Sequence, residues 1–244
     1  MNDPGSSSRS RDLPWRSGQQ REVVGIDGCK AGWVGVVLHE GVFSRAVLAA
    51  NFRDLLIAVP RATVVAVDIP IGLPTTTRKA DLEARRVVGA RASSVFPTPP
   101  RVVVEAATYE EAGQRSRALI GRGISQQSFA LAKKILEVES CRADAGAKLY
   151  EVHPEVSFWA LAGTPLRAGK RSWTGQEERR ALLEMASIVI PTDLGRAGLV
   201  AAADDVLDAA VAAWSGQRIA SGQGRSLPDP PERDSIGRPI AIWY

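Results

Sequence analysis

Four aspartates in three separate segments have the residue type and the placement to do chemistry. Asp27 follows the apolar run VVGI and precedes a glycine turn, and Asp68 follows the β-branched run TVVAV and precedes a Pro/Gly turn. Asp205 and Asp208 lie three residues apart in an alanine-rich segment. A carboxylate at the end of a buried strand needs a cation or a set of N–H donors to compensate its charge. These four residues are therefore the candidate catalytic acids.

Carboxylates that converge repel one another unless they are protonated or bridged by divalent cations. Two ions roughly 4 Å apart would relieve the repulsion and also clamp the attacking and leaving oxygens of a phosphodiester. We therefore expect Mg²⁺ or Mn²⁺ as the cofactor. The acids in these segments are the expected metal ligands: Asp27, Asp68, Asp204, Asp205 and Asp208.

Each acid also has a simpler explanation. Asp68 precedes Ile-Pro and could only open a turn. Asp204 and Asp205 could stabilise the start of a helix, and the sequence does not decide which of the two is the metal ligand. Asp208, one turn further along the alanine face, is harder to explain in this way.

The elements that must position these acids follow from apolar patterning and from turn residues. Hydrophobic periodicity and breakers predict strands and helices in alternation after an initial strand meander. The predicted strands lie within 22–38 as a pair, at 41–50, at 63–67, at about 147–151 and at 240–244. The predicted helices lie at 51–59, 78–91, 125–143, 175–190 and 201–220, with a turn at 96–101 and a loop at 159–171.

Three antiparallel strands, a helix, a strand, a helix, a strand and a helix form an order that resembles the ribonuclease H-like fold. That fold is α/β with a central mixed five-stranded sheet. Its first and fourth strands run side by side and its last helix packs beside their ends, so the three acidic segments would converge. We expect a flexible N-terminal tail at 1–21 and one domain at 22–244, with helical insertions at about 75–122 and 155–200.

Five motifs carry a resemblance to a known family. GIDGCKAGWV, AVDIPIGLP, SSVFPTPPR, YEVHPEVSF and DDVLDA together resemble the domain of unknown function family 429, whose members are regarded as predicted nucleases with a ribonuclease H-like fold. The resemblance covers about Val23 to Tyr244, and DDVLDA is also similar to the final helix of Holliday-junction resolvases. It implies that Asp27 is the first-strand acid, Asp68 the fourth-strand acid and the 205/208 pair the helix acids. The resemblance also favours a role for the segment YEVHPEVSF, so Glu151 is a further expected metal ligand or substrate residue.

Basic side chains outside the acidic segments could contact substrate phosphates. A solvated helix face explains most of them equally well. His153 could position a water or a phosphate. The expected substrate-binding residues are Arg85, Arg91, Arg101, Lys133 and His153. Trp33 could stack on a base, although core packing is the commoner role for a residue at the start of a strand.

Composition limits the classes of protein. Among 244 residues the net charge is +4, which permits a nucleic-acid partner of unknown type without requiring one. Cys29 and Cys141 are far apart and form no disulfide or zinc pattern. No apolar run reaches the roughly 18 residues of a membrane span, and no export signal is recognised, so we expect a cytoplasmic location without membrane association. If the protein cut junctions, a homodimer would be favoured.

The sequence thus predicts a divalent-metal-dependent phosphodiester hydrolase, a nuclease. Two alternatives stay open. The chain could bind nucleic acid or a nucleotide without catalysis, because fold does not dictate activity. It could also be a phosphotransferase of the actin-like ATPase type, although the chain is short for two such domains and has no convincing second glycine-rich phosphate turn.

Overall fold

The computed structural model describes residues 22–142, 148–234 and 237–244, and within these ranges the chain forms a central five-stranded sheet flanked by helices. Its strands are β1 (Glu22–Cys29), β2 (Gly32–His39), β3 (Val42–Ala49), β4 (Ala62–Val67) and β5 (Lys148–Glu151). Their spatial order is β3-β2-β1-β4-β5, with β1 to β3 antiparallel and β4 and β5 parallel to β1. The predicted α/β architecture with a central mixed sheet is confirmed. The predicted tail at 1–21 lies outside the described residues.

Helices fill the connections between the strands. They are α1 (Phe52–Ala58), α2 (Lys79–Val87), α3 (Arg101–Val104), α4 (Tyr109–Ile120), α5 (Gln126–Cys141), α6 (Pro154–Ala162), α7 (Trp173–Met185), α8 (Arg196–Val200) and α9 (Ala203–Ala220). A 3₁₀ helix, Gly89–Ser94, follows α2. Ser125 caps α5 as predicted, since its side chain accepts a hydrogen bond from the Ser128 N–H. Among the helices in the described ranges, none has both the length and the apolar character needed to cross a bilayer.

Two apolar clusters cover the two faces of the sheet. Val24 and Ile26 of β1 pack with α1 and α5, and Val23 packs on the opposite face with α9. This division follows from the two-residue repeat of a strand, which sends successive side chains to opposite faces. Gly25 and Asp27 therefore share the α9 face with Val23.

Gly25 allows α9 to lie directly on β1. A Cβ atom at Gly25 would lie 2.0 Å from the Ala213 nitrogen and 2.1 Å from the Ala209 carbonyl oxygen, both in the α9 backbone. Gly216, one to two turns later, lies against Val23. The helix therefore runs antiparallel to β1, and its first turns lie beside the carboxyl end of that strand.

Residues 75–122, which were expected to be an insertion, contain more helix than the sequence predicted. The helix predicted at 78–91 ends at Val87 and continues as 3₁₀, and α3 and α4 form where only a turn and polar chain were expected. Thr108 caps α4 by accepting from the Glu111 N–H. That Thr-x-x-Glu capping signal was present in the sequence and was missed.

Three boundaries in the second half also differ from the prediction. Pro154, expected only to break a strand, is the first residue of α6, a position that suits proline because the first helical N–H has no helical partner. Helix α7 ends at Met185, five residues before the predicted end at 190, and Ser187 then adopts a φ of 66°. The terminal strand β7 (Pro239–Trp243) pairs with β6 (Ser226–Arg233), in a segment predicted as turns. The terminal strand therefore belongs to a second, two-stranded sheet.

Candidate active site

Asp27, Asp68 and Asp208 come together at the carboxyl ends of β1 and β4. The Asp68 N–H donates to the Ile26 carbonyl at 2.9 Å, which continues the parallel pairing and sets Asp68 beside Asp27. Alternation along β4 sends Asp68 to the same face as Ala66, which packs with Ala212 of α9. Asp208 projects from the second turn of α9 toward the same edge. Three segments far apart in sequence thus form one site, which we call the acid cluster.

Burial and mutual repulsion perturb the three carboxyl groups. Burial raises the pKa of Asp27 well above its usual value, and the charges of Asp68 and Asp208 raise it further. Burial likewise raises the pKa of Asp68 and of Asp208 to about 7, against the opposing effect of a nearby lysine. Carboxyl groups affect each other's ionisation in this way only when they are close together.

Lys170 brings a positive charge into direct contact with the acid cluster. It lies in the loop between α6 and α7, and its Nζ donates to Asp208 Oδ2 at 2.5 Å. Burial lowers the pKa of Lys170, but the charges of Asp208, Asp27 and Asp68 outweigh that effect and raise the pKa above its ordinary value. Lys170 therefore stays protonated at any physiological pH, and one of the three carboxylates already has a cationic partner.

The two acids at the start of α9 occupy different surroundings. Asp204 is buried, and its Oδ2 lies 3.5 Å from the Arg171 Nε. Asp205 is less buried; burial and the charge of Asp204 raise its pKa, and Asp205 in turn raises the pKa of Asp27. Asp205 is thus electrostatically coupled to the acid cluster.

Glu151 lies at the end of β5 but is not part of the acid cluster. Leu149, two residues earlier, packs on the α5 side of the sheet, so the strand repeat turns Glu151 away from α9. Its carboxylate accepts two hydrogen bonds from the buried Arg78, at 2.7 and 2.8 Å, and one from the Ile71 N–H. Arg78 also binds Asp81. In this arrangement Glu151 anchors the insertion to the sheet and is not available as a metal ligand.

The predicted substrate-binding side chains do not gather at one place. Arg85 donates to the carbonyls of Ala92 and Val95, and Lys133 is exposed on α5. Arg101 pairs with Glu105 and Glu139, beside a cleft of about 640 Å³ that no residue of the acid cluster lines.

Arg91 and His153 lie close to the acid cluster. Arg91 pairs with the buried Glu155 at 3.3 Å. The fully buried Arg179 donates to the same carboxylate at 2.7 Å. Burial lowers the pKa of His153, whereas the charges of Glu155 and Asp208 raise it. Glu155 also raises the pKa of Asp68, so the ion pairs that Glu155 forms with Arg91 and Arg179 lie near the acid cluster.

Sequence reasoning missed Lys170, Glu155 and Arg179 as neighbours of the acid cluster. Lys170 belongs to a loop without periodicity, and only the packing of that loop against α9 brings it to Asp208. Glu155 follows Pro154 in the first turn of a helix that was not predicted. No local signal in the sequence places Lys170 at the site, whereas a proline followed by an acid is a helix-start signal that was missed.

Trp33 is a core residue. It is completely buried, packs edge-on against Phe52 at 5.1 Å and donates from Nε1 to Glu137. The Lys134 ammonium lies 4.1 Å from the centroid of its ring. A base cannot stack on this ring as it stands.

A different tryptophan is exposed near the acid cluster. Trp173, the first residue of α7, is 77% exposed. The Ser172 N–H donates to the Gly169 carbonyl, and the Ser172 side chain caps α7, so a tight turn connects Lys170 to Trp173. The Arg171 side chain in that turn is 88% exposed. An exposed guanidinium and an exposed aromatic ring therefore follow, within three residues, the lysine that binds Asp208.

The donor set of the acid cluster suits a hard divalent cation. Asp27 and Asp68 have no ion-pair partner within the described ranges. Burial is the main cause of their raised pKa values, because it disfavours a carboxylate whose charge no cation compensates. The side chains are not fully assembled for an ion, since no group of three or more His, Cys, Asp or Glu residues in those ranges is arranged to hold one. Because Lys170 forms an ion pair with Asp208, that carboxylate is not free to join such a group.

The fold and the site define an α/β protein with a cluster of coupled carboxyl groups at the edge of a mixed sheet. The chain belongs to the family described as "Protein of unknown function (DUF429)", whose model matches residues 25–233. No curated protein and no solved structure gives a significant match.

Proposed function

We infer that the protein is a divalent-metal-dependent phosphodiester hydrolase, a nuclease, with a ribonuclease H-like fold. The strand order β3-β2-β1-β4-β5, with α9 lying across β1, supports that fold. One observation carries the function: Asp27, Asp68 and Asp208, from three distant segments, form a coupled cluster of carboxyl groups. A protein does not gather buried like charges for stability, because their repulsion opposes folding.

Within this proposal the residues have separate roles. Asp27 and Asp68 would hold the metal, and the helix acids Asp205 and Asp208 would complete the negative site. A bound Mg²⁺ or Mn²⁺ would supply an activated water and stabilise the leaving oxygen of the phosphodiester. Lys170 neutralises Asp208 and keeps a positive charge where a phosphate would approach. Glu155 would hold Arg91 in place behind the acids.

A nucleic acid is the substrate class that the surroundings of the site favour. Arg171 and Trp173 offer a phosphate contact and a stacking surface beside the acid cluster. Aromatic stacking contributes roughly 1–3 kcal/mol per unpaired base and tolerates any sequence. These side chains favour a single-stranded or locally unpaired substrate over a continuous duplex.

A cleavage assay tests the proposal. Purified protein is incubated with Mn²⁺ or Mg²⁺ and with labelled single strands, duplexes, RNA–DNA hybrids and four-way junctions. We expect cutting by the parent protein and by a Glu105→Gln control, whose exposed carboxylate lies outside the acid cluster, and none by Asp27→Asn. Equal cutting by Asp27→Asn would remove the acid cluster from the reaction. A parent that binds single strands without cutting them would favour the non-catalytic alternative.

A further inference from the structure

Lys170 is in direct contact with an acid of the acid cluster. Its Nζ lies 2.5 Å from Asp208 Oδ2, and the side chain is about one-third exposed. An ammonium is a compact point charge with three donors, and it can take the place of a metal ion between acids without needing a coordination shell. The position of Lys170 bears on how many metal ions the site accepts.

Charge counting shows the consequence. The three acids of the cluster and the coupled Asp205 bring four negative charges when ionised. Lys170 compensates one of them, and Lys134, whose charge interacts with Asp27 and Asp205, compensates a second. One divalent ion compensates the other two, whereas two ions would bring the total to six positive charges against four carboxylates. The second ion would also have to displace Lys170 from the carboxylate that it occupies.

We propose that Lys170 replaces the second metal ion, so that the active site binds a single divalent cation between Asp27 and Asp68 while Lys170 remains on Asp208. This inference rests on the proposed function only for the metal itself. It departs from the two-ion arrangement that converging carboxylates suggest by themselves. The helix acid then acts through the lysine, as the residue that positions the ammonium.

The test is a calorimetric titration of the purified, metal-free protein with MnCl₂. The parent protein should bind one Mn²⁺ per chain at the site. Lys170→Met removes the ammonium and leaves Asp208 uncompensated, so this variant should bind two. Lys170→Arg keeps the charge and should return to one. Lys79→Met, which removes an exposed lysine at the start of α2, is the control and should match the parent.

A second variant tests the inference without altering Lys170. Asp27→Asn should lose the ion. Two ions in the parent, the same stoichiometry in parent and Lys170→Met, or retention of the ion in Asp27→Asn would each overturn the inference. Absence of Mn²⁺ binding by all the proteins would overturn it too.

The outcome for the proposed function is read separately. If parent protein and Lys170→Met differ in stoichiometry but neither cleaves any nucleic acid, the single-ion site is supported and the nuclease assignment fails. If the parent cleaves with Mn²⁺ while Lys170→Met binds metal as the parent does, the nuclease assignment is supported and the role of Lys170 fails.

Discussion

The charge of Asp68 should cost the folded protein stability at neutral pH, and Asp68→Asn should recover it. The pKa of Asp68 is raised from an ordinary value of 3.8 to about 7, chiefly by burial. A folded-state pKa above the unfolded one means that the native protein binds more protons between these values. The stabilising contribution of the protonated form is therefore complete below about pH 4 and is lost as the pH rises through about 7.

The size of the effect follows from that shift. A shift of about 3 pKa units corresponds to an upper limit of about 4 kcal/mol, at about 1.4 kcal/mol per unit. Asp68 is partly exposed and shares its shift with neighbouring acids, so we expect about 1–3 kcal/mol from the substitution at pH 8. For a chain of this length that corresponds to a rise in melting temperature of roughly 3–10 °C.

The assay is thermal unfolding in EDTA at pH 5 and pH 8. At pH 8 the parent should have a lower melting temperature than Asp68→Asn. The change in melting temperature between pH 5 and pH 8 should be smaller in Asp68→Asn than in the parent. Glu105→Gln, at an exposed carboxylate, should behave as the parent does. An Asp68→Asn protein that is less stable than the parent at pH 8, with an unchanged pH dependence, would refute the reasoning.

Three further predictions concern the metal, the exposed ring and the packing of α9. Saturating Mn²⁺ at pH 8 should raise the melting temperature of the parent but not that of Asp27→Asn. At a hundred times the dissociation constant, the free energy of unfolding of the parent should increase by about 3 kcal/mol. An equal rise in melting temperature in both proteins would place the ion elsewhere. Trp173→Ala should weaken the binding of a single-stranded oligonucleotide in EDTA roughly 5- to 100-fold by fluorescence anisotropy. Met185→Ala, an equally exposed position at the other end of α7, should not, and an unchanged affinity in Trp173→Ala would exclude stacking. Gly25→Ala should destabilise the fold by several kcal/mol in urea titrations, because the new Cβ meets the α9 backbone; a wild-type midpoint would show that α9 does not lie on β1 as described.

The central sheet was predictable because its signals are local. Continuous β-branched runs and glycine turns identify β1, β2 and β4, and the alanine face of α9 indicates a helix packed closely on a sheet. The position of Asp27, Asp68 and Asp208 on one face also follows from a period of two along the strands and of 3.6 along the helix. Glu151 was assigned to the metal set because the family resemblance favoured a role for its segment. Counting back to Leu149 would have sent it to the other face.

The remainder of the site depends on contacts that no local pattern encodes. Lys170 reaches Asp208 across 38 residues. The Glu155–Arg179 pair joins α6 to α7 across 24 residues. Pro154 was interpreted as a strand breaker, whereas it starts the helix that carries Glu155. Some basic residues that were expected to contact phosphate, such as Arg85, instead donate hydrogen bonds to backbone carbonyls within residues 75–122.

The most direct test of the account is anomalous diffraction from crystals of the protein soaked in MnCl₂ at a concentration that supports cleavage. The account predicts one anomalous peak per chain, within coordination distance of carboxylate oxygens of both Asp27 and Asp68. It also predicts that the Lys170 ammonium is still on Asp208. No peak at this position, or manganese bound only at another set of residues, would contradict it.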